Sequence, residues 1–238
     1  MHQDQVKSPS ARLPSRRSAF TLIELLVVIA IIAVLATFIV ASLPGFLERG
    51  RMGQSLNNLR QIGVGFQLFS NDNDFTLPGR VQSGDKWPTL LIEYLGNDPK
   101  VYADPADDDN YLARNRDPLS NNPNNTSYIM NGYNDVGAYD DPAVSIRANV
   151  VEQPSKTILV AAQSHTGNFY MDFVEENQNK VLNKRLYGDG STYLFSDGSS
   201  RFLKEEQYNG PAPADTTAAN YGDWLWLVSK ANNPIGQE

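Results

Sequence analysis

Phe20 to Val40 reads FTLIELLVVIAIIAVLATFIV, 21 residues with a single charge, Glu24. With a rise of about 1.5 Å per residue, a helix over this run spans a hydrocarbon layer roughly 30 Å thick. The stretch before it, Met1 to Ala19, is polar and holds Lys7, Arg12, Arg16 and Arg17 against Asp4 alone. Beyond the run only Arg49 and Arg51 follow closely. Basic residues flanking a span stay on the cytoplasmic side, so this asymmetry predicts a cytoplasmic leader and an exported bulk.

A secretory signal peptide and an ordinary single-pass anchor are the plain readings of such a run. The apolar part of a signal peptide is usually 7–15 residues and ends at small residues of the A-x-A kind. This run is longer, and no clear site of that kind follows it. A plain anchor explains the length but not Glu24. A carboxylate in the middle of a membrane helix costs about 2.5–3.5 kcal/mol on insertion scales, and somewhat less near an end. Cleavage between Ala19 and Phe20 would give Glu24 a task. Phe20 would then carry a free amine, four residues before the carboxylate and on the same helix face. Glu24 would offset that charge in its own chain or in a neighbour, and a carboxylate in the first turn also suits the helix dipole. A charge pair formed between chains would set the axial register of a helical bundle.

The stretch Arg16-Arg17-Ser18-Ala19-Phe20-Thr21-Leu22-Ile23-Glu24-Leu25 resembles the prepilin cleavage and methylation motif of type IV pilins and type II secretion pseudopilins. The resemblance implies that a prepilin peptidase cuts between Ala19 and Phe20 and N-methylates Phe20, and that Glu24 serves assembly. It also implies other pilin or pseudopilin subunits, an inner-membrane assembly platform and membrane lipid as partners. The head would lie on the periplasmic side of the cytoplasmic membrane. One residue departs from the family pattern: Ala19 stands where glycine usually precedes the cut.

Past the span, Ser42-Leu43-Pro44-Gly45 predicts an interruption of the helix with a kink, because proline removes a donor and crowds the preceding turn. Met52, Leu56, Leu59, Ile62, Phe66 and Phe69 then recur at helical spacing, until Asn71-Asp72-Asn73-Asp74 stops the pattern. The expected organisation is a leader over 1–19, a transmembrane helix over 20–41, a stem helix over 42–71 and a globular head over 72–238. The fold class is α+β, with the long helix packed on a small antiparallel sheet. Within the head, Lys86 to Leu95 reads as a short helix burying Trp87, Leu90, Leu91 and Tyr94. Val101 to Thr126 reads as a long loop and Thr157 to Ala162 as a strand. Asn168 to Val174 alternates, with Phe169, Met171 and Phe173 on one face. Asp197-Gly198 reads as a hairpin turn between Tyr193–Phe195 and Arg201–Leu203, on the expectation that both central residues take positive φ. Trp224 to Val228 reads as a late apolar segment packed back on the head.

Several of these stretches also resemble pilin-like proteins that carry the His-x9-Asp-Gly processing-associated domain. They are Leu56 to Gly63 with Asn71 to Asp74, Thr126-Ser127-Tyr128, Pro154 to Leu159, and Tyr193 to Gly198. Tyr187 occupies the place of the naming histidine, ten residues before Asp197, so that histidine's role does not carry over.

The chain has 238 residues, no cysteine and only two histidines, His2 and His165. That excludes disulfides, cysteine-ligated zinc and a thiol nucleophile. The net charge of −7 argues against nucleic acid as a partner. Loss of the leader removes four of the 20 bases and one of the 27 acids, leaving 16 against 26. No cofactor is expected. Asp107-Asp108-Asp109, Asp140-Asp141 and Asp72-Asn73-Asp74 have the oxygen ligands calcium favours, but none has EF-hand spacing. Asp189, Asp197 and His165 read as turn or strand-end residues, and Asn124-Asn125-Thr126 is a short sequon of a kind common by chance. The leading expectation is a structural, non-enzymatic filament subunit. The alternative is a membrane-anchored enzyme or carbohydrate-binding module, with Trp87, Trp224 and Trp226 as sugar-stacking candidates against their plainer role in the core.

Overall fold

The computed structural model describes residues 20–80, 84–107, 117–120, 122–133, 146–164, 167–171 and 181–208. The chain divides after Gly45 into two compact units, 1–45 and 46–238.

Helix α1 runs from Leu22 to Asp72 with Pro44 inside it. The interruption expected at Ser42 to Gly45 is therefore absent. A proline in a helix interior loses one hydrogen bond and costs about 3 kcal/mol. The run of Leu, Ile, Val and Ala residues before it and the packed helix after it carry the helix across. Leu22 to Val40 has a mean hydropathy of 3.0, and none of its side chains is buried. The helix ends where its polar sequence says it should. The N–H groups of Asn73 and Phe75 both donate to Ser70 O, at 3.2 and 2.8 Å, and Asn73 Nδ2 caps Phe69 O at 2.8 Å. Asp74 and Phe75 take positive φ, 52° and 60°, to make this turn.

In the head, α2 covers Trp87–Leu91 and continues as a 3-10 turn over Ile92–Leu95. Its buried side is Trp87, Pro88, Leu91 and Ile92, whereas Leu90 and Tyr94 stay half-exposed. The change to a three-residue period after Leu91 turns Ile92 inward in place of Tyr94. Strands β1 (Tyr128–Asn131), β2 (Ile158–Ala162), β3 (Tyr170–Met171), β4 (Gly190–Phe195) and β5 (Ser200–Lys204) form one sheet in the order β3-β1-β2-β4-β5. The sheet is mixed rather than purely antiparallel, because β3 pairs with β1 in parallel. Phe169 and Tyr170 join the cluster on the helix side of the sheet and Met171 the cluster on the other, so the expected Phe169–Met171 face is not formed. Phe173 lies outside the described residues, as do His165, Asp108, Asp109, Asp140, Asp141 and Trp224 to Val228.

The sheet sorts its side chains by alternation. Tyr128, Met130, Val160 and Leu194 join the cluster containing Leu59, Ile62 and Phe66 of α1, while Ile129, Ala161, Tyr193 and Phe195 join the opposite cluster. A bulge between Ile158 and Val160 breaks the alternation and sends Leu159 to the helix side with Val160. Helix and sheet approach closely at Gly63, where an added Cβ would lie 3.0 Å from Leu194 Cδ1. The β4–β5 hairpin forms as expected but by another turn. Gly198 alone takes positive φ, at 82°, with Gly198 N–H donating to Phe195 O at 2.9 Å. Asp197 Oδ1 accepts from Ser199 N–H at 2.9 Å. The loop is therefore Ser196-Asp197-Gly198 with one left-handed residue, not a two-residue turn with two.

Candidate functional site

Two groups of polar residues stand out against this frame. The first lies at the start of α1. Thr21 Oγ1 accepts from Glu24 N–H at 3.3 Å, and Glu24 Oε2 accepts from Thr21 N–H at 2.8 Å and from Thr21 Oγ1 at 2.8 Å. This reciprocal exchange is a capping box with Thr21 as N-cap and Glu24 three residues on. It satisfies donors that a helix start otherwise leaves open. Phe20 is 81 % exposed and lies just outside the helix, while Ala19 falls outside the described residues. Glu24 Oε1 makes no hydrogen bond to the described residues, so the capping carboxylate keeps an oxygen for another partner.

The second group is buried in the head and was only partly visible in the sequence. Asp104, fully buried, follows the 3-10 turn Pro99–Tyr102. Its Oδ2 accepts from Ser55 Oγ of α1 and from Tyr128 OH of β1, the latter at 3.3 Å. Its Oδ1 accepts from Tyr187 OH and, at 2.9 Å, from Ala106 N–H. Ser55 has one proton and gives it to the carboxylate. The 2.8 Å contact with Thr192 Oγ1 of β4 must then run from Thr192 to Ser55. Beside it Asn58 Nδ2 donates to Ala103 O at 2.9 Å and Ser200 Oγ donates to Leu56 O at 2.9 Å. Burial pushes the Asp104 carboxyl above its ordinary range, and the hydrogen bonds from Ser55, Tyr187, Ala106 and Tyr128 partly offset this. Burial likewise pushes the Tyr128 and Tyr187 phenols up, with the Asp104 charge adding to both.

Tyr187 is the residue at the histidine position noted in the sequence, and the structure makes its phenol the partner of a buried acid. Ser55 and Asp104 were missed. The available signal was Ser55 itself, a polar residue four positions before Leu59 on the buried helix stripe. The stripe is also rotated from the expected one: Ser55, Asn58, Leu59, Ile62 and Phe66 are buried, while Met52, Leu56 and Phe69 are only half-buried. Trp87 is core, stacked on Phe66 at 6.1 Å and edge-on to Tyr102 at 5.4 Å, so it is closed to a sugar. Asp72, Asp74 and Asp107 belong to no metal-holding group among the described residues.

The family described as the prokaryotic N-terminal methylation motif matches residues 14–40. The chain therefore carries the hallmark of type IV pilins and pseudopilins, on a fold of the α+β class consistent with theirs. No finer family is shown. The motif is one of structural subunits rather than enzymes, and with the apolar helix Leu22–Val40 it makes this a membrane-anchored protein. It implies processing by prepilin peptidase and assembly with other pilin subunits. Nothing among curated proteins or solved structures matches the chain.

Proposed function

We propose that the chain is the precursor of a filament subunit of the type IV pilus or type II secretion kind. The peptidase cuts between Ala19 and Phe20 and methylates the Phe20 amine. Mature chains then leave the cytoplasmic membrane, with the help of an inner-membrane platform, and stack through their apolar helices with heads on the periplasmic side. The observation that carries this reading is the methylation motif over residues 14–40. Three features support it. Phe20 is exposed and ahead of the helix. Glu24 has an oxygen left over from the capping box. The apolar helix has no side chain buried in its own chain, leaving every face for lipid or a neighbouring helix. The reading requires no cofactor.

The direct test is mass spectrometry of the protein recovered from its membrane. A mature chain beginning with N-methylated Phe20 is expected, and a chain still carrying Met1 to Ala19 would overturn the reading. Glu24→Ala is expected to leave the head folded and abolish incorporation into filaments.

A further inference from the structure

The contacts between the stem segment of α1, from Phe46 onward, and the head are of two kinds. Leu59, Ile62 and Phe66 supply apolar area, which is non-directional and rewards any placement that keeps it dry. Ser55, Asn58 and the carbonyl of Leu56 make directed bonds to three separate parts of the head: the Ala103–Asp104 segment, β4 through Thr192 and β5 through Ser200. Tyr128 of β1 and Tyr187 close the same cluster by donating to Asp104. We propose that the Ser55–Asp104–Tyr187 cluster is a register lock that fixes the axial and rotational position of the stem helix on the head.

A one-turn slide shows why polar groups decide the register. Moving the helix one turn in one direction brings Leu59 against Asp104. The buried carboxyl would lose Ser55 as a donor and gain an apolar neighbour, which is among the costlier errors in a core. Moving it one turn the other way brings Ser55 into the dry site of Leu59, in the cluster that also holds Tyr128 and Leu194. Both slides also part Asn58 from Ala103 O and Ser200 from Leu56 O. Tyr187 works from the opposite side: its hydroxyl reaches Asp104 Oδ1 and lies 3.3 Å from Arg51 O, one turn before Ser55. It therefore sits between the loop acid and the helix backbone. Fixing register is the best-attested use of buried polar groups, and they provide it at a cost in stability.

The full-length chain in detergent micelles tests this directly. It has no cysteine, so Gln61→Cys with Glu206→Cys places spin labels on two exposed positions, one on the stem and one on the head. With the lock intact a single inter-label distance is expected. Adding Ser55→Ala and Tyr187→Phe is expected to bring in a second population displaced by about 5 Å, the pitch of one turn. A folded double variant that keeps the single distance overturns the lock. Should the double variant fail to fold, Tyr187→Phe alone decides. It keeps the ring and every donor to Oδ2, and it is expected to show the displaced distance as a minor population. An unchanged distance there overturns the lock equally.

Discussion

Between Leu22 and Val40, α1 exposes its side chains on every face, while between Ser55 and Ser70 the same helix hides one face completely. The first segment is apolar all round and has no buried side chain, which suits a membrane anchor. The second is mixed in polarity and gets its surroundings from its own head. One continuous helix therefore serves two solvents. Its anchoring half is specified by composition alone, and its stem half by which residue faces which.

The largest effect that would test this contrast is a cavity in the stem. Phe66 is 2 % exposed and stacked on Trp87. Phe66→Ala is expected to destabilise the head by about 3–5 kcal/mol, seen as a lower denaturation midpoint. Ile32→Ala, the same kind of deletion in the anchor, is expected to move that midpoint by less than about 0.5 kcal/mol. Equal effects would show that the two halves are not energetically separate.

Next in size is Tyr187→Phe. It keeps the ring and removes one donor from a buried carboxyl, a loss of about 1.5–3 kcal/mol where the acceptor is charged. Chemical denaturation measures it. Lys204→Ala, which removes the exposed pair with Asp189 at 3.0 Å, is expected to cost no more than about 1 kcal/mol.

The same carboxyl gives the head a pH response of unusual sign. Burial holds the folded-state pKa of Asp104 above its ordinary value. The folded protein therefore binds this proton more readily than the unfolded chain does. The stability it contributes is complete below the unfolded pKa, in the ordinary carboxylate range, and is lost as pH rises through the folded value. Among the described residues, the titratable groups that bond it are the Tyr128 and Tyr187 phenols, which titrate far higher. Asp104→Asn is expected to abolish this component. The stability difference between the native chain and the variant should then shift in favour of the variant as pH rises through the folded value. A difference that stays flat with pH would place the carboxyl in water.

The anchor and the stem were unequally legible before the structure. The apolar span and the methylation motif follow from composition and a short motif, because a membrane imposes length and polarity on a segment residue by residue. The stem could be read as a helix but its buried face could not be placed. A stripe of Met52, Leu56, Leu59, Ile62, Phe66 and Phe69 is sound helical periodicity, yet the face actually buried runs through Ser55 and Asn58. Their burial depends on Asp104, Thr192 and the Ala103 carbonyl, which are distant in sequence. The hairpin at Asp197-Gly198 was legible as a turn, but not as the three-residue loop, because Ser199 N–H and Oγ bonding to Asp197 decides the geometry. The parallel β3–β1 pair had no local signal at all, since parallel pairing is set by a long connection.

The most local expected effect lies at the start of α1. Thr21 offers the capping box its hydroxyl, which accepts from Glu24 N–H, and its own N–H, which donates to Glu24 Oε2. Thr21→Ser keeps the hydroxyl and should change nothing. Thr21→Ala loses the accepting oxygen and is expected to cost about 1 kcal/mol at the helix start. The loss is read as faster amide exchange over Leu22 to Leu25, with the denaturation midpoint of the head unmoved. Thr21→Ala leaves the Thr21 N–H bond to Glu24 available, so it separates capping from the charge of Glu24. Should Thr21→Ala impair assembly as severely as Glu24→Ala, the carboxylate would be acting mainly as a cap. Should assembly survive Thr21→Ala and fail in Glu24→Ala, the remaining oxygen of Glu24 is the one that meets a partner, and the anchor contributes a specific polar contact as the stem does.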